Sequence, residues 1–576
     1  MALDFRNTNS LWCSVMAETL ARCGVDRAVV SPGSRSTPLT MALVANPVIE
    51  AIPVLDERSA AFFALGLAKQ RRSPTVLVCT SGTAGANYFP AVIEAHESGV
   101  PLIVITADRP PEMRECASGQ TIDQLRLFGA HVAWFHELAV PEPSLSLLRY
   151  LRQTVAHACE RSAAGPVHLN APFRDPLAPV EDASAKALES SLDVPFFAHL
   201  RKAEAPASAT VFLQRPTTAR GVIVAGPESP PDPKNYAETI VRLAEGLQWP
   251  ILADALSPVR RYAPRNDYVV AAYDAILRST AVARHLCPKS VLCLGGWPTS
   301  KVLRSWIDES GAEIALVSPR CENRDALHGR TRHISASAEQ LAAAGEGIGD
   351  GSYLLDWRRC EERAQSVFER ELKTDERVEP RIARELAALL PAGTPLFVAS
   401  SMPIRDVEYV WPVTSNGVQL HFSRGANGID GTLSTALGVA HGGAPAVLLT
   451  GDLALLHDTN GFLLRSKLRG SLTVVLVNNR GGGIFQHLPV AQFDPPFEEY
   501  FATPQDVDFS KLCSAYGVQH VAIATWEQFA EALGQLPQTG IRVLEIRTDR
   551  KRDVAFRKSL FAKAAAEAEQ GLGDQR

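Results

Sequence analysis

Residues 451–489 read GDLALLHDTNGFLLRSKLRGSLTVVLVNNRGGGIFQHLP, and the fold turns on this stretch. The apolar run Ala446-Val447-Leu448-Leu449-Thr450 just before it predicts a buried strand that delivers Gly451-Asp452 at its end. A helical stretch follows, and a second predicted strand, residues 473–477, delivers Asn478-Asn479 and a glycine run. A hard divalent cation takes oxygen ligands, and Mg²⁺ is usually held by one or two protein groups plus substrate phosphates. Asp452, the Asn479 amide oxygen and the Gly481 carbonyl could supply three such ligands. Open α/β sheets bind ligands at strand ends. The plainer alternative is an ordinary βαβ unit with a polar turn at each end. Against it, Gly-Asp and Asn-Asn-x-Gly both follow apolar strands, with Asp452 and Asn479 27 positions apart.

Outward from this unit, strands and helices alternate along the whole chain. Arg27–Val30, Thr75–Cys79 and residues 102–106 are short apolar strands, with helical stretches at 58–70 and 84–97 between them. That alternation predicts a parallel sheet with helices on both faces. Residues 172–206, rich in Pro, Ala, Ser and charge, read as a linker. A second series has strands at 221–226, 250–254, Ser290–Leu294 and 313–317. A charged helix at 357–374 leads into a third series, with strands at 394–399, 447–450, 473–477 and 543–546. The fold expected is α/β, three successive doubly wound parallel-sheet domains, at 1–190, 205–355 and 356–576. At 576 residues, three domains of roughly 170–220 residues fit the usual size.

Composition removes several classes of function. Hydrophobic residues at 46% and charged residues at 21% describe an ordinary globular chain. A net charge of −5 leaves no footprint for nucleic acid or an anionic membrane. The ten cysteines form no CxxC pair, so neither zinc nor a disulfide framework is expected, and a reducing cytosol fits. The N-terminus has no basic n-region and reads as a helix with Leu11, Val15, Met16 and Leu20 inward, capped from Asn7-Thr8-Asn9. The stretch after Lys558 reads as a polar, Ala-rich tail.

Four arginines sit in loops at predicted strand ends. Ser31-Pro32-Gly33-Ser34-Arg35-Ser36-Thr37-Pro38 offers backbone N–H groups, hydroxyls and a guanidinium to an anion. Asp108-Arg109-Pro110-Pro111-Glu112 follows the third strand, with Gln120 beyond it. Ser400-Ser401-Met402-Pro403-Ile404-Arg405 and Ser423-Arg424-Gly425-Ala426-Asn427-Gly428-Ile429 add two more. Any one of them alone is as well explained by a structural turn or a surface ion pair. Four converging on one cleft predict a polycarboxylate substrate, because the guanidinium fork matches carboxylate geometry. Leu55-Asp56-Glu57-Arg58-Ser59-Ala60-Ala61-Phe62 places Glu57 at a strand-to-helix junction, where a first-turn acid is also favoured by the helix dipole alone.

The Gly-Asp to Asn-Asn segment resembles the diphosphate-binding signature of thiamine diphosphate (ThDP) enzymes, with Leu453 where most of them have a second glycine. SPGSRSTP, DERSAAFFALGLAK, TSGTAGAN, TADRPPE, SRGANGIDGTLSTALG and NNRGGGIFQHLP together resemble the 2-succinyl-5-enolpyruvyl-6-hydroxy-3-cyclohexene-1-carboxylate (SEPHCHC) synthase family of those enzymes. The resemblance implies pyrimidine-binding, central and diphosphate-binding domains in that order. It implies ThDP with Mg²⁺ or Mn²⁺ held by Asp452, Asn479 and Gly481. Glu57 would activate the cofactor through its aminopyrimidine ring, a role that an apolar pocket raising the carboxyl pKa would favour. Ser401, Ile429 and Ile484 would contact the cofactor, with Ile429 the wedge that bends it. Arg35, Arg109, Gln120, Lys301, Arg405, Arg424, Phe485 and Leu488 would line the substrate pocket. Relatives often carry Lys-Arg where this chain has Lys301-Val302.

The implied reaction decarboxylates 2-oxoglutarate and adds the resulting succinyl-semialdehyde carbanion to isochorismate, in menaquinone or phylloquinone biosynthesis. It is that of a cytoplasmic homodimer or homotetramer whose cofactor sites are shared between subunits. Another ThDP-dependent 2-oxo acid decarboxylase or carboligase is the nearest alternative. A pyruvate-type decarboxylase would show an adjacent His-His pair, which this chain lacks. A non-catalytic relative would lose Glu57, Asp452 or Asn479, and all three are present. GxGxxG and P-loop spacings are both absent.

Overall fold

The computed structural model describes residues 3–192, 194–202, 209–213, 218–320, 322–343 and 351–573. Its core is three six-stranded sheets in which every strand pair is parallel. The first sheet uses Arg27–Val30, Glu50–Pro53, Thr75–Cys79, Leu102–Asp108, Trp134–Glu137 and Val167–Pro172. The third uses Pro395–Val398, Gln419–Phe422, Ala446–Gly451, Ser471–Asn478, Gln519–Ile523 and Gly540–Arg547. Counting strands along each domain, both have the hydrogen-bonded order 2-1-3-4-6-5, whereas the middle sheet runs 3-2-1-4-5-6. In each case the order reverses beside the first strand, and that switch point is where an open sheet forms its ligand crevice.

Central strands are buried on both faces and therefore read as continuous apolar runs: all five residues of Thr75–Cys79 and all eight of Ser471–Asn478 are buried. Helix Thr8–Arg22 starts where expected, with the Asn7 side chain accepting from the Ser10 N–H. Nine described cysteines are free, and seven of them are buried. Among the described residues no helix is long and apolar enough to cross a membrane.

Four expectations need correction. The stretch 172–206 is not a bare linker: Ala185, Phe196 and Phe197 are buried in the first domain's core, and Asn7 and Asn9 donate to carbonyls at Arg174, Pro176, Ala178 and Val180. Residues 193 and 203–206 of that stretch lie outside the described residues. The helix at 84–97 is two, Thr83–Ala86 and Phe89–Ser98, because Pro90 can only open a helix. The stretch after Lys558 continues helix Arg550–Gly573, which buries Leu560, Phe561, Ala564 and Ala568 in the core shared with Trp357, Cys360 and Ala364. Helix Ser352–Glu371 runs unbroken through 355–356, so that division falls within one element.

The first and third domains meet along helices Glu57–Arg71 and Thr432–Ala440. A Cβ on Gly66 would lie 2.0 Å from the Thr435 carbonyl oxygen, and one on Gly438 would lie 2.2 Å from that of Phe63. The middle and third domains share a core and a buried ion pair. Arg260 donates to the carbonyls of Ala253 (2.6 Å) and Ala271 (2.9 Å) in one, and of Glu408 (3.0 Å) and Trp411 (2.9 Å) in the other. Its guanidinium also lies 3.4 Å from the Glu408 carboxylate, with both side chains almost fully buried.

Candidate active site

Register builds the third-domain crevice. Gly451 pairs with Val477, so Asp452 emerges level with the end of the next strand, where Asn479 follows. Asp452 is 5% exposed, and its two oxygens accept from the Leu453 N–H (2.7 Å) and the Gly481 N–H (2.9 Å). Burial pushes its pKa up to about 6, against those hydrogen bonds. The Asn479 amide donates from Nδ2 to Glu379 at 2.6 Å, while its Oδ1 is buried without a partner. A buried acceptor left unpaired at a strand end facing a cavity is free to accept from a ligand or to bind an ion. Gly481 holds φ +133, and a Cβ there would lie 2.4 Å from the Ala502 carbonyl oxygen, so only glycine fits. A carboxylate, an orphaned amide oxygen and a constrained carbonyl suit a hard divalent cation.

These groups border a cavity of 390 Å³ that is also lined by Ser401, Arg405, Arg424, Ile429, Ile484 and Phe485, within the range of small-molecule sites. Ser401 has φ +75 without being glycine, a conformation costing roughly 1–3 kcal/mol and typical of functional turns. Its carbonyl accepts from Arg405 at 2.6 Å. Burial lowers the pKa values of Arg405 and Arg424, and each is lowered further by the other arginine's charge or by that of Arg304. None of the three has a carboxylate within ion-pair distance among the described residues. Leu488 is 41% exposed and does not line the cavity. Lys301, the exposed first residue of helix Lys301–Ser310, does not line it either.

In the first domain the predicted residues follow strands of the sheet, and the structure brings Arg35 near Arg109, and Arg109 and Gln120 together on Ser81. Arg35 is buried, donates to the Phe173 carbonyl at 2.9 Å, and has its pKa lowered by burial and by the charge of Arg109. Arg109 hydrogen-bonds the Ser81 hydroxyl and donates to Gly119 O at 2.8 Å, and Gln120 Nε2 donates to Ser81 O at 3.0 Å. Glu57 opens helix Glu57–Arg71 half-buried, with Asp56 as the cap. None of these residues lines the third-domain cavity of the same chain.

Several residues that build the site gave no sequence signal. Glu94, 3% exposed, accepts from the Gly425 (3.2 Å) and Ala426 (2.7 Å) N–H groups and so sets the loop that carries Arg424. Arg304 in the middle domain has its Nε buried without a partner. Glu379 lines the cavity and pairs with Arg557, which also grips Asp406 at 2.7 and 2.5 Å.

The sequence matches family models for the thiamine pyrophosphate enzyme N-terminal TPP binding domain over residues 13–127 and for the middle domain of thiamine pyrophosphate enzymes over 192–398. It matches the C-terminal TPP binding domain over 407–546. A 2-succinyl-5-enolpyruvyl-6-hydroxy-3-cyclohexene-1-carboxylate synthase from Gloeothece citriformis is 50% identical over 98% of this chain and 99% of its own length. Synthases of the same name from Trichormus variabilis (50%) and Trichodesmium erythraeum (49%) cover 98% and 97% of this chain, and 100% and 98% of their own. Identity at about half of all positions, sustained from end to end, carries the assignment: the chain belongs to the SEPHCHC synthase family of thiamine diphosphate enzymes.

Proposed function

We propose that this chain decarboxylates 2-oxoglutarate and joins the remaining four-carbon unit to isochorismate, with ThDP and Mg²⁺ or Mn²⁺ bound at the third-domain crevice. ThDP supplies the nucleophilic carbon and holds the electron pair released with CO₂. The chain's own residues divide the remaining work. Asp452, Asn479 and the Gly481 carbonyl hold the cation; Ser401, Ile429 and Ile484 seat the cofactor, and Phe485 shields the reacting carbon, a part that Leu488, outside the cavity lining, does not share. The observation that carries the substrate class is the pair Arg405 and Arg424, half-buried in the cavity wall with no carboxylate within ion-pair distance among the described residues, and with the charge of Arg304 near enough to lower the pKa of both. Like charges held together in a desolvated pocket are costly until an anion arrives. Lys301 stands on the same helix as Arg304.

Glu57, Arg35, Arg109 and Gln120 would complete the site from a second copy of the chain, so the functional unit is at least a dimer. Two facts support this. The first-domain residues are absent from the cavity within one chain. Met41, Val44, Leu55 and Leu463 also expose 43–67% of their apolar surface, a patch of the kind that partners cover. Consumption of isochorismate only when 2-oxoglutarate, ThDP and a divalent cation are all present is the expected result of the direct test. Turnover without 2-oxoglutarate would overturn the reading.

Asp452→Ala is expected to abolish cofactor retention, because it removes the charged ligand. Calorimetry showing unchanged ThDP affinity in the presence of Mg²⁺ would refute the metal assignment. The arginines are expected to divide by substrate. Alanine at Arg304, Arg405 or Arg424 mainly weakens use of 2-oxoglutarate, and alanine at Arg35 or Arg109 mainly weakens use of isochorismate. Truncating one partner of a buried charge pair costs about 2–5 kcal/mol, so the affected kcat/KM falls by more than about tenfold. Equal losses for both substrates in every variant would refute the division.

A further inference from the structure

We propose that Glu379 is a positioning residue for the divalent cation, fixing which end of the Asn479 amide faces the cavity. The inference rests on reading Asp452 and Asn479 as metal ligands. An amide offers a carbonyl oxygen at one end and an NH₂ group at the other, and only the oxygen can ligate a hard cation. Asn479 alone does not determine which end points outward. Glu379 does: it opens helix Glu379–Leu389, is 4% exposed, and presents Oε1 to Asn479 Nδ2 at 2.6 Å. A carboxylate paired to arginine can only accept, so the NH₂ must face it and Oδ1 must face the cavity, where it is buried and unpartnered.

Glu379 is itself held from three sides. Its Oε2 accepts from Arg557, which is also bound by Asp406 at 2.7 and 2.5 Å. The Asp553 carboxylate accepts from its backbone N–H at 3.0 Å, and the Thr548 hydroxyl donates to Oε1 at 3.3 Å. Asp406 neighbours Arg405 on helix Met402–Val410. One buried network thus orients a metal ligand and anchors the helix that carries a substrate cation. Partners of this kind typically change metal affinity by about 10–100-fold when removed.

The test uses full-length protein stripped of metal and titrated with Mn²⁺ in the presence of ThDP, with free Mn²⁺ read by electron paramagnetic resonance. Glu379→Gln gives Asn479 a neighbour that can donate as well as accept, so the amide is free to turn. The expected result is Mn²⁺ affinity lower by about 10–100-fold in a protein of unchanged circular dichroism. Asn479→Asp sets two carboxylates face to face and is expected to weaken Mn²⁺ similarly. The double variant restores a donor–acceptor pair: the nitrogen of the introduced amide faces the introduced carboxylate, and its oxygen faces Arg557. Its affinity is expected to return to within about fivefold of the parent, a rescue that a merely structural role does not produce.

A folded Glu379→Gln protein with affinity within twofold of the parent, or a double variant no better than its singles, overturns the proposal. If Glu379→Gln does not fold, Glu379→Asp keeps the charge beside Arg557 but draws the carboxylate back from Asn479; unchanged affinity there overturns the proposal equally. Asp452→Ala measured alongside separates the two readings, since full Mn²⁺ binding by that variant would remove the metal site itself.

Discussion

Glu57→Gln is expected to yield a folded protein that binds ThDP and turns over about 10²–10⁴-fold more slowly, the usual contribution of a positioned acid–base group. The local structure allows a clean reading of that loss. Glu57 is the first residue of its helix, but the capping is done by Asp56, whose side chain accepts from the Ser59 N–H and from Asn460 Nδ2. The Glu57 carboxylate has no hydrogen-bond or ion-pair partner among the described residues. Glutamine therefore preserves shape and gives up only a first-turn charge, worth a few tenths of a kcal/mol. Hydrogen exchange at the cofactor's C2 carbon, followed by quenching and NMR, reports the activation step. Exchange at the parent rate would show that Glu57 has no part in it.

Arg260→Ala is expected to cause the largest loss of stability. The substitution strips hydrogen bonds from four carbonyls in two domains and leaves Glu408 buried beside Tyr273 without its counter-charge. Burial already pushes the Glu408 pKa well up, with Arg260 opposing that shift. Breaking a buried pair by removing one partner costs about 3–5 kcal/mol, which corresponds to a fall of roughly 6 °C or more in the melting temperature of a domain this size. Arg260→Met, which keeps most of the stem's volume, is expected to lose nearly as much, because the loss is polar. A midpoint within 2 °C of the parent, on a scale of about 2–4 °C per kcal/mol, would show that water or a neighbour takes over the role.

What the sequence revealed follows burial. Thr75–Cys79 and Ser290–Leu294 lie deep in their sheets and read correctly to the residue. Arg330–Ser335 at the edge of the middle sheet is RTRHIS, polar, with no buried residue and four of six exposed, and carries no periodic signal. Trp134–Glu137 (WFHE), at the edge of the first sheet, is of intermediate exposure at all four positions and shows no alternation of buried and exposed residues. The placement of Asp452, Asn479, Arg35 and Arg109 at or just beyond the ends of central strands is legible because strand and loop adjoin in the chain. Glu379 and Arg557 were not, since they lie 178 positions apart and meet only through the packing of two helices. Glu94 was hidden because its partners are backbone N–H groups 331 and 332 positions away, which any residue would offer.

The crossing at Gly66 and Gly438 has a mechanical consequence. Where two helices touch through bare backbone, no side chain lies between them to change rotamer and absorb a displacement, and close-packed interiors transmit strain instead of yielding to it. The outer two domains of one chain therefore move as a single casting. On the two-copy reading of the site, each casting carries half of one cleft and half of another, facing different ways. On that reading, widening a cleft to admit substrate would mean shifting one chain against its neighbour, and whatever stiffens the contact between copies would also slow traffic through both clefts.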